Sequence, residues 1–145
     1  MEREASQKYL AQQVMSASPA KLVAMLYERA ILLLHDAVGA IEAGDIEGRW
    51  RANSKATEII GELWQALDME VGGEIAENLY RLYGFMMMRL TMVDTENSAQ
   101  AARDVIGLLE PLRRSWHELA DGEGANGESK GSLGDPTSLQ VSLSA

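Results

Sequence analysis

Apolar residues recur every three or four positions along most of the chain, which is the spacing of one face of an α-helix. The repeat begins after Ser18 and Pro19, where serine is a typical N-cap and proline is favoured at the first helical position. It is interrupted at Gly44, at Gly72 and within residues 93–100. Four helices of about 20 residues joined by short turns predict an all-α, antiparallel four-helix up-down bundle.

The ends and interior of these helices carry local signals. Asp45 is placed to cap the second helix, and Ser98 is placed to cap the fourth. Pro111 lies inside the fourth apolar stripe, where it cannot donate a backbone hydrogen bond. The sequence therefore predicts a kink at Pro111 or a helix that restarts there.

Composition divides the chain into three parts. Residues 1–17 form a predicted N-terminal capping segment, with Tyr9 and Val14 on one side of a helix-like stretch. That stretch is too short to be stable alone, so we expect it to dock on the bundle or to stay mobile. Residues 18–119 form the predicted bundle. Residues 120–145 are acidic, rich in Gly and Ser and without aromatic residues, which predicts a disordered tail.

Three consecutive methionines in the third helix cannot all face one core, because neighbouring helical residues point about 100° apart. Met86 belongs to the predicted core stripe, and Met87 lies at its edge near Tyr80. The next methionine points away from the core, within a second apolar stripe. That second stripe consists of Phe85, Met88 and Met92.

The first helix has a weaker counterpart of this stripe, in Met25 and Leu32, which also lie outside its core face. Three interpretations of these residues are open. Singly exposed apolar side chains are normal on globular proteins. The N-terminal segment or a homodimer partner could cover them. They could also line a functional groove, for which methionine is suited because it adapts to varied apolar partners.

Composition narrows the classes of function. The chain has 145 residues, of which 46 % are hydrophobic, enough for one compact domain. It has no cysteine, which excludes disulfides and thiolate metal sites. The net charge of −9 argues against nucleic-acid binding, which needs clustered Lys and Arg. Without a signal peptide or an apolar run of about 20 residues, we expect a cytoplasmic protein with no membrane insertion.

Catalytic chemistry has little support in the sequence. His35 and His117 are isolated, and neither stands in the Glu-x-x-His arrangement of a di-iron bundle. No glycine-rich phosphate loop follows a strand. We therefore predict no catalytic residue, no cofactor and no metal site. His35 shares the polar side of the first helix with Glu28 and Glu42, so a histidine phosphotransfer domain remains a less favoured alternative.

Three stretches of the chain resemble the flagellar secretion chaperone family, FliS. QVMSASPAKLVAMLYERAI (13–31) is similar to the family's N-terminal signature, LDMEVGGEIAENLYRLYGFMMMRL (67–90) to its second signature, and LLEPLRRSW (108–116) to its closing element. The family-motif and N-terminal cap positions fall on Tyr9, Val14, Ser18, Pro19, Leu26 and Tyr27. Two departures are Ser16, where threonine is usual, and Arg29, which replaces a glycine.

The resemblance implies a cytoplasmic export chaperone that binds the disordered C-terminal end of flagellin, prevents its premature polymerisation and assists its delivery to the flagellar type III export gate. It also implies that the N-terminal segment covers a groove until cargo displaces it. The resemblance, together with the apolar residues at the edge of the core or outside it, predicts a flagellin groove. Its residues are Met25, Leu32, Tyr80, Phe85, Met87, Met88 and Met92. We expect a monomer or weak dimer when free. A structural dimer, with the outer stripe as a permanent interface, remains an alternative.

Overall fold

The computed structural model describes residues 17–125, so the predictions for the segment with Tyr9 and Val14, and for residues 126–145, lie outside the described residues. The described chain forms four helices, named in order α1 (Pro19–Glu42), α2 (Ile46–Gln65), α3 (Gly73–Thr95) and α4 (Ala99–Ala125). Each helix packs against the next along the chain, and α4 packs back against α1. The four helices therefore close a ring, which confirms the predicted helical bundle.

Side-chain caps determine where α1, α2 and α4 begin. Each cap oxygen accepts a hydrogen bond from the backbone N–H three residues later, at 3.1 Å for Ser18, 2.9 Å for Asp45 and 3.0 Å for Ser98. Each bond satisfies one of the backbone donors that a helix start leaves without a partner. All three predicted caps are confirmed.

The turns between the helices also follow from local chemistry. Gly44, just after α1, has a φ of +72°, a conformation that costs glycine little. In the longer turn between α2 and α3, the Asp68 carboxylate accepts hydrogen bonds from the backbone of Glu70 at 3.1 Å and Val71 at 3.0 Å. The third helix extends to Thr95, past the break predicted from residue 93, and Val93 is fully buried in its last turns.

The fourth helix differs from its prediction in two ways. It runs through Pro111 without a break, so the predicted restart there is wrong. Pro111 and Gly107, whose carbonyl loses its usual donor, are both exposed, so water can replace the missing hydrogen bond. The helix also includes residues 120–125, which the sequence places in the tail, because extending an existing helix needs no new nucleation.

The centre of the bundle is apolar and closely filled. The largest fully buried side chains come from all four helices and are Tyr27, Tyr83, Leu34, Ile60, Met86, Leu90, Leu109, Val93 and Val105. One polar side chain, Asn53, is also buried in the described part of the chain, and its amide donates to the Leu90 carbonyl at 2.8 Å. Met86 therefore lies in the core, as its helical position predicts.

Candidate partner-binding surface

The polar contacts of two α3 residues show which flank of the helix faces which neighbouring helix. Asp94 accepts a hydrogen bond from Asn53 at 3.0 Å and pairs with Arg49 at 3.1 Å, both on α2. Arg89 instead pairs with Asp104 on α4. Because Asp94 and Arg89 are five residues apart, they project about 140° from each other around the helix. These contacts assign every outward α3 side chain to the α2 flank, to the α4 flank or to the outer face between them.

The predicted second stripe lies on the α4 flank and outer face of α3. Phe85 and Met92 lie four residues before and three after Arg89, which places them on its flank. Phe85 is 46 % exposed, and Met88, on the outer face, is 61 % exposed. Met92 is half-buried, and its Sδ lies 3.3 Å from a guanidinium nitrogen of Arg89. The three predicted stripe residues thus form one continuous apolar surface.

Tyr80 and Met87 lie on the opposite, α2 flank of α3. The Tyr80 ring packs on Trp64 of α2, with ring centroids 5.3 Å apart and planes inclined at 55°. Gly84 lies beneath the same indole, where an added Cβ would stand 3.4 Å from a ring carbon. Met87, two turns after Tyr80, is half-buried against the core. The single predicted groove is therefore divided between two flanks of α3.

Met25 and Leu32 occupy a third location, on the outer face of α1. They lie one turn after Lys21 and Glu28, and both of those side chains face His117 of α4. Leu32 is 54 % exposed, whereas Met25 is half-buried. The structure does not bring either of them to the apolar surfaces of α3.

The family-signature residues that the structure describes either lie at the start of α1 or pack in the core. Ser18 caps α1, and Pro19 is exposed at its first position. Leu26 is half-buried against the core, and Tyr27 is fully buried. Burial raises the pKa of Tyr27 to about 12, although a hydrogen bond from the Tyr83 hydroxyl opposes the shift.

A small apolar cavity lies beside the tyrosine pair. It is lined by Val23, Tyr27, Leu63, Ala66, Leu67, Tyr83 and Trp116 and has a volume of about 20 Å³. That volume is close to the space of a single water molecule, and its walls offer few polar partners. It is a packing gap and too small for a ligand.

Several exposed apolar side chains were not identified from the sequence as surface residues. Trp50 is 59 % exposed on α2, and Ile46, one turn earlier, is 66 % exposed although helical spacing assigns it to the core stripe. Ile46 is the first residue of α2, so it projects beyond the end of the packed core. Both lie on the side of α2 that faces α3, beside Asn53. They lie on the same side of α2 as Trp64, with Trp50 about 20 Å nearer the start of the helix, and only the tertiary arrangement shows that this side faces α3.

The two histidines differ in their surroundings. His35 is exposed on α1, away from the core. His117 is not isolated: its Nδ1 lies 3.2 Å from the Lys21 ammonium, and its Nε2 lies 3.8 Å from the Glu28 carboxylate. This contact joins α1 to α4. Residues 17–125 contain no group of three or more His, Asp or Glu side chains arranged to hold a metal ion, and none of their helices is long and apolar enough to cross a membrane.

Comparison with known proteins gives consistent matches. The family described as "Flagellar protein FliS" matches residues 1–123. The flagellar secretion chaperone FliS of Salmonella typhimurium (strain LT2) is 43 % identical over 108 residues, covering 74 % of this chain and 80 % of the relative. FliS of Vibrio cholerae is 36 % identical over 107 residues, covering 74 % and 79 %. FliSB of Pseudomonas aeruginosa is 37 % identical over 108 residues, covering 74 % and 86 %.

These matches test the resemblance found in the sequence and the prediction that the chain is not an enzyme. The family match spans the bundle and all three signature stretches. The relatives are named as chaperones, and FliS is a chaperone family and not an enzyme family. The chain belongs to the FliS family of flagellar secretion chaperones.

Proposed function

We propose that this protein is a cytoplasmic export chaperone that binds the C-terminal end of flagellin, prevents its premature polymerisation and assists its delivery to the flagellar type III export apparatus. Membership of the FliS family supports the chaperone role. One structural observation supports a binding surface on α3: Phe85 and Met88 are exposed beside a core that Met86 already fills.

The composition of this surface supports recognition of an amphipathic helix. A disordered chain end that folds into amphipathic helices on binding needs apolar grooves between helices to receive its apolar faces. The α4 flank of α3 offers Phe85 and Met92, and the α2 flank offers Tyr80 and Trp50. Flexible thioether side chains can repack around different apolar residues. We propose that the flagellin end wraps α3 and contacts both flanks.

The proposal assigns Tyr9 and Val14 to a covering role in the free protein. In the sequence, Val14 lies four residues before Ser18, the N-cap of α1. The role rests on the family resemblance. On this proposal, cargo and the N-terminal segment compete for apolar surface, and removal of residues 1–16 should strengthen cargo binding.

Co-purification with flagellin tests the proposal. Full-length flagellin should co-purify with the chaperone, and flagellin lacking its C-terminal end should not. Equal recovery of both forms would reject the proposed cargo segment. A mass that rises with protein concentration and is unaffected by flagellin would instead favour the structural dimer. Phosphotransfer through His35 is not supported by the family, and the absence of label after incubation with a phosphorylated receiver domain would exclude it.

A further inference from the structure

A groove with a volume of about 450 Å³ lies between α1 and α2. All of its lining residues belong to these two helices and to the turn that joins them, so it is separate from the apolar surfaces of α3. Small residues form much of its lining, and they are Gly39, Ala40, Ala43, Gly48 and Ala52. Helix axes approach each other more closely where the side chains in contact are small. The groove can therefore receive a segment of polypeptide close to its floor.

Charged side chains line the groove unevenly. Arg29 and Lys55 lie toward the middle of the bundle, and Asp45 lies at the turn. Between them, Asp36 stands across the groove from Arg51, which pairs with the neighbouring Glu47 at 3.2 Å. From the rise of 1.5 Å per residue, the basic and acidic ends are separated by roughly 15–20 Å. The groove thus has one positive end and one negative end.

The basic end has no internal partner in the described part of the chain. Neither Arg29 nor Lys55 forms an ion pair within residues 17–125, and both are exposed. Arg29 and Lys55 thus stay without an ion-pair partner in the described residues although the net charge of the protein is −9. Two exposed cations that line the same end of a groove provide a site for carboxylates from another molecule.

We propose that this groove docks a single amphipathic α-helix of a second protein partner, oriented with an acidic C-terminal end against Arg29 and Lys55. An α-helix has a partial positive charge at its N-terminus and a partial negative charge at its C-terminus, which matches the groove from Asp45 to Arg29. About 10–13 helical residues span that distance, so a helix of about 14 residues reaches both ends. A concave groove is filled by one convex helix, whereas the same concave surface of a second copy would leave it unfilled.

This site goes beyond the proposed cargo function, since none of the residues that line the groove belongs to the proposed cargo surface. Flagellin bound along α3 leaves Arg29 and Lys55 accessible. The protein can therefore hold its cargo and a second partner at the same time, in a ternary complex. Loss of one interaction should leave the other intact.

A designed peptide tests the site directly. The probe is a fluorescein-labelled, acetylated and amidated helix of about 14 residues, made of Ala and Leu, with Lys in its first turn and Glu in its last two turns. A second peptide has the same composition with the charged ends exchanged. Fluorescence anisotropy should show that the first peptide binds about tenfold more tightly than the second, with an affinity that falls as salt is added.

Charge reversal in the groove provides the matched comparison. R29E/K55E should weaken binding of the first peptide by about tenfold or more, because the acidic end then meets like charge. The control R81E/R114E makes the same charge change at exposed arginines of α3 and α4 and should alter the affinity by less than about twofold. R29E/K55E should keep its helical circular dichroism and its flagellin affinity.

Three results would overturn the proposal. The first is an R29E/K55E variant that binds the peptide as the unaltered protein does. The second is equal affinity for the two peptides. The third is failure of both peptides to bind while the protein alone self-associates in a manner that R29E/K55E abolishes, which would assign the groove to a second copy. None of these results depends on whether flagellin binds.

Discussion

The hydroxyl groups of Tyr27 and Tyr83 hydrogen-bond to each other at the centre of the bundle and join α1 to α3. These helices lie diagonally across the ring, so the bond crosses the core. Burial raises the pKa of Tyr83 well above its usual value and raises that of Tyr27 to about 12. The tyrosine pair therefore links α1 directly to α3, the helix that carries the exposed Phe85 and Met88.

The tyrosine pair predicts a loss of stability at high pH. Between pH 10 and about 12, the unfolded chain releases the Tyr27 proton while the folded protein retains it, so the free energy of unfolding falls as pH rises. The shift in pKa corresponds to roughly 3 kcal/mol. Urea unfolding at pH 9 and 11.5 should show a larger loss for the unaltered protein than for Y27F/Y83F. Equal losses would show that the pair does not titrate in this way.

Substitutions at Met86 and Met88, two residues apart, should differ greatly in their effect on the free energy of unfolding. Met86 is fully buried, so Met86→Ala should lower the free energy of unfolding by roughly 2–5 kcal/mol through lost burial and a residual cavity. Met88 is 61 % exposed, so Met88→Ala should change it by about 0.5 kcal/mol or less. Chemical denaturation measures both. Similar losses for the two variants would contradict the assignment of Met88 to the surface.

Asn53 predicts a specific cost for breaking the contact between α2 and α3. Its amide donates to the Leu90 carbonyl at 2.8 Å and to the Asp94 carboxylate at 3.0 Å. Asn53→Ala removes both bonds in a buried place and should cost roughly 1–3 kcal/mol. The neighbouring half-buried Ser54 provides the control, since Ser54→Ala removes a polar group from the same turn of α2. If the two variants unfold at the same urea concentration, the Asn53 contacts contribute little.

Helix starts could be predicted from the sequence because their causes are local. Ser18, Asp45 and Ser98 each bond to a backbone group three residues away, so a short stretch contains all the required information. The separation of Met86 from Met88 was equally predictable, because it depends on rotation around one helix. The end of α4 at Ala125 was not, since the local composition of residues 120–125 favours a turn or a disordered segment.

The arrangement of the apolar surface could not be read from single helices. A helical wheel places Tyr80 and Phe85 outside the core but does not say which neighbour each one faces. That information comes from Trp64 on α2 and from the Arg89–Asp104 pair, which are contacts between helices. Trp50 was missed for the same reason. The division of the predicted groove into two flanks is thus a tertiary property.

The two flanks of α3 predict separable contributions to cargo binding. Tyr80→Ser and Trp50→Ser alter the α2 flank, and Phe85→Ser alters the α4 flank. Each of these side chains is roughly half exposed, so circular dichroism should first confirm that each variant is folded. If the flagellin end wraps α3, each single change should weaken binding by about tenfold or less, and changes on opposite flanks should add. Affinities from calorimetry would test this. An effect confined to one flank would restrict the groove to that side.

The most direct measurement is calorimetric titration of the flagellin C-terminal segment into the unaltered protein, F85S/M88S and the control V71S. Val71 is 63 % exposed in the turn between α2 and α3, so V71S also removes exposed apolar surface, away from the proposed site. We expect binding with a negative heat-capacity change, a loss of about tenfold or more for F85S/M88S while the variant keeps its helical circular dichroism, and no loss for V71S. Unchanged affinity of F85S/M88S would contradict the assignment of the cargo surface to α3.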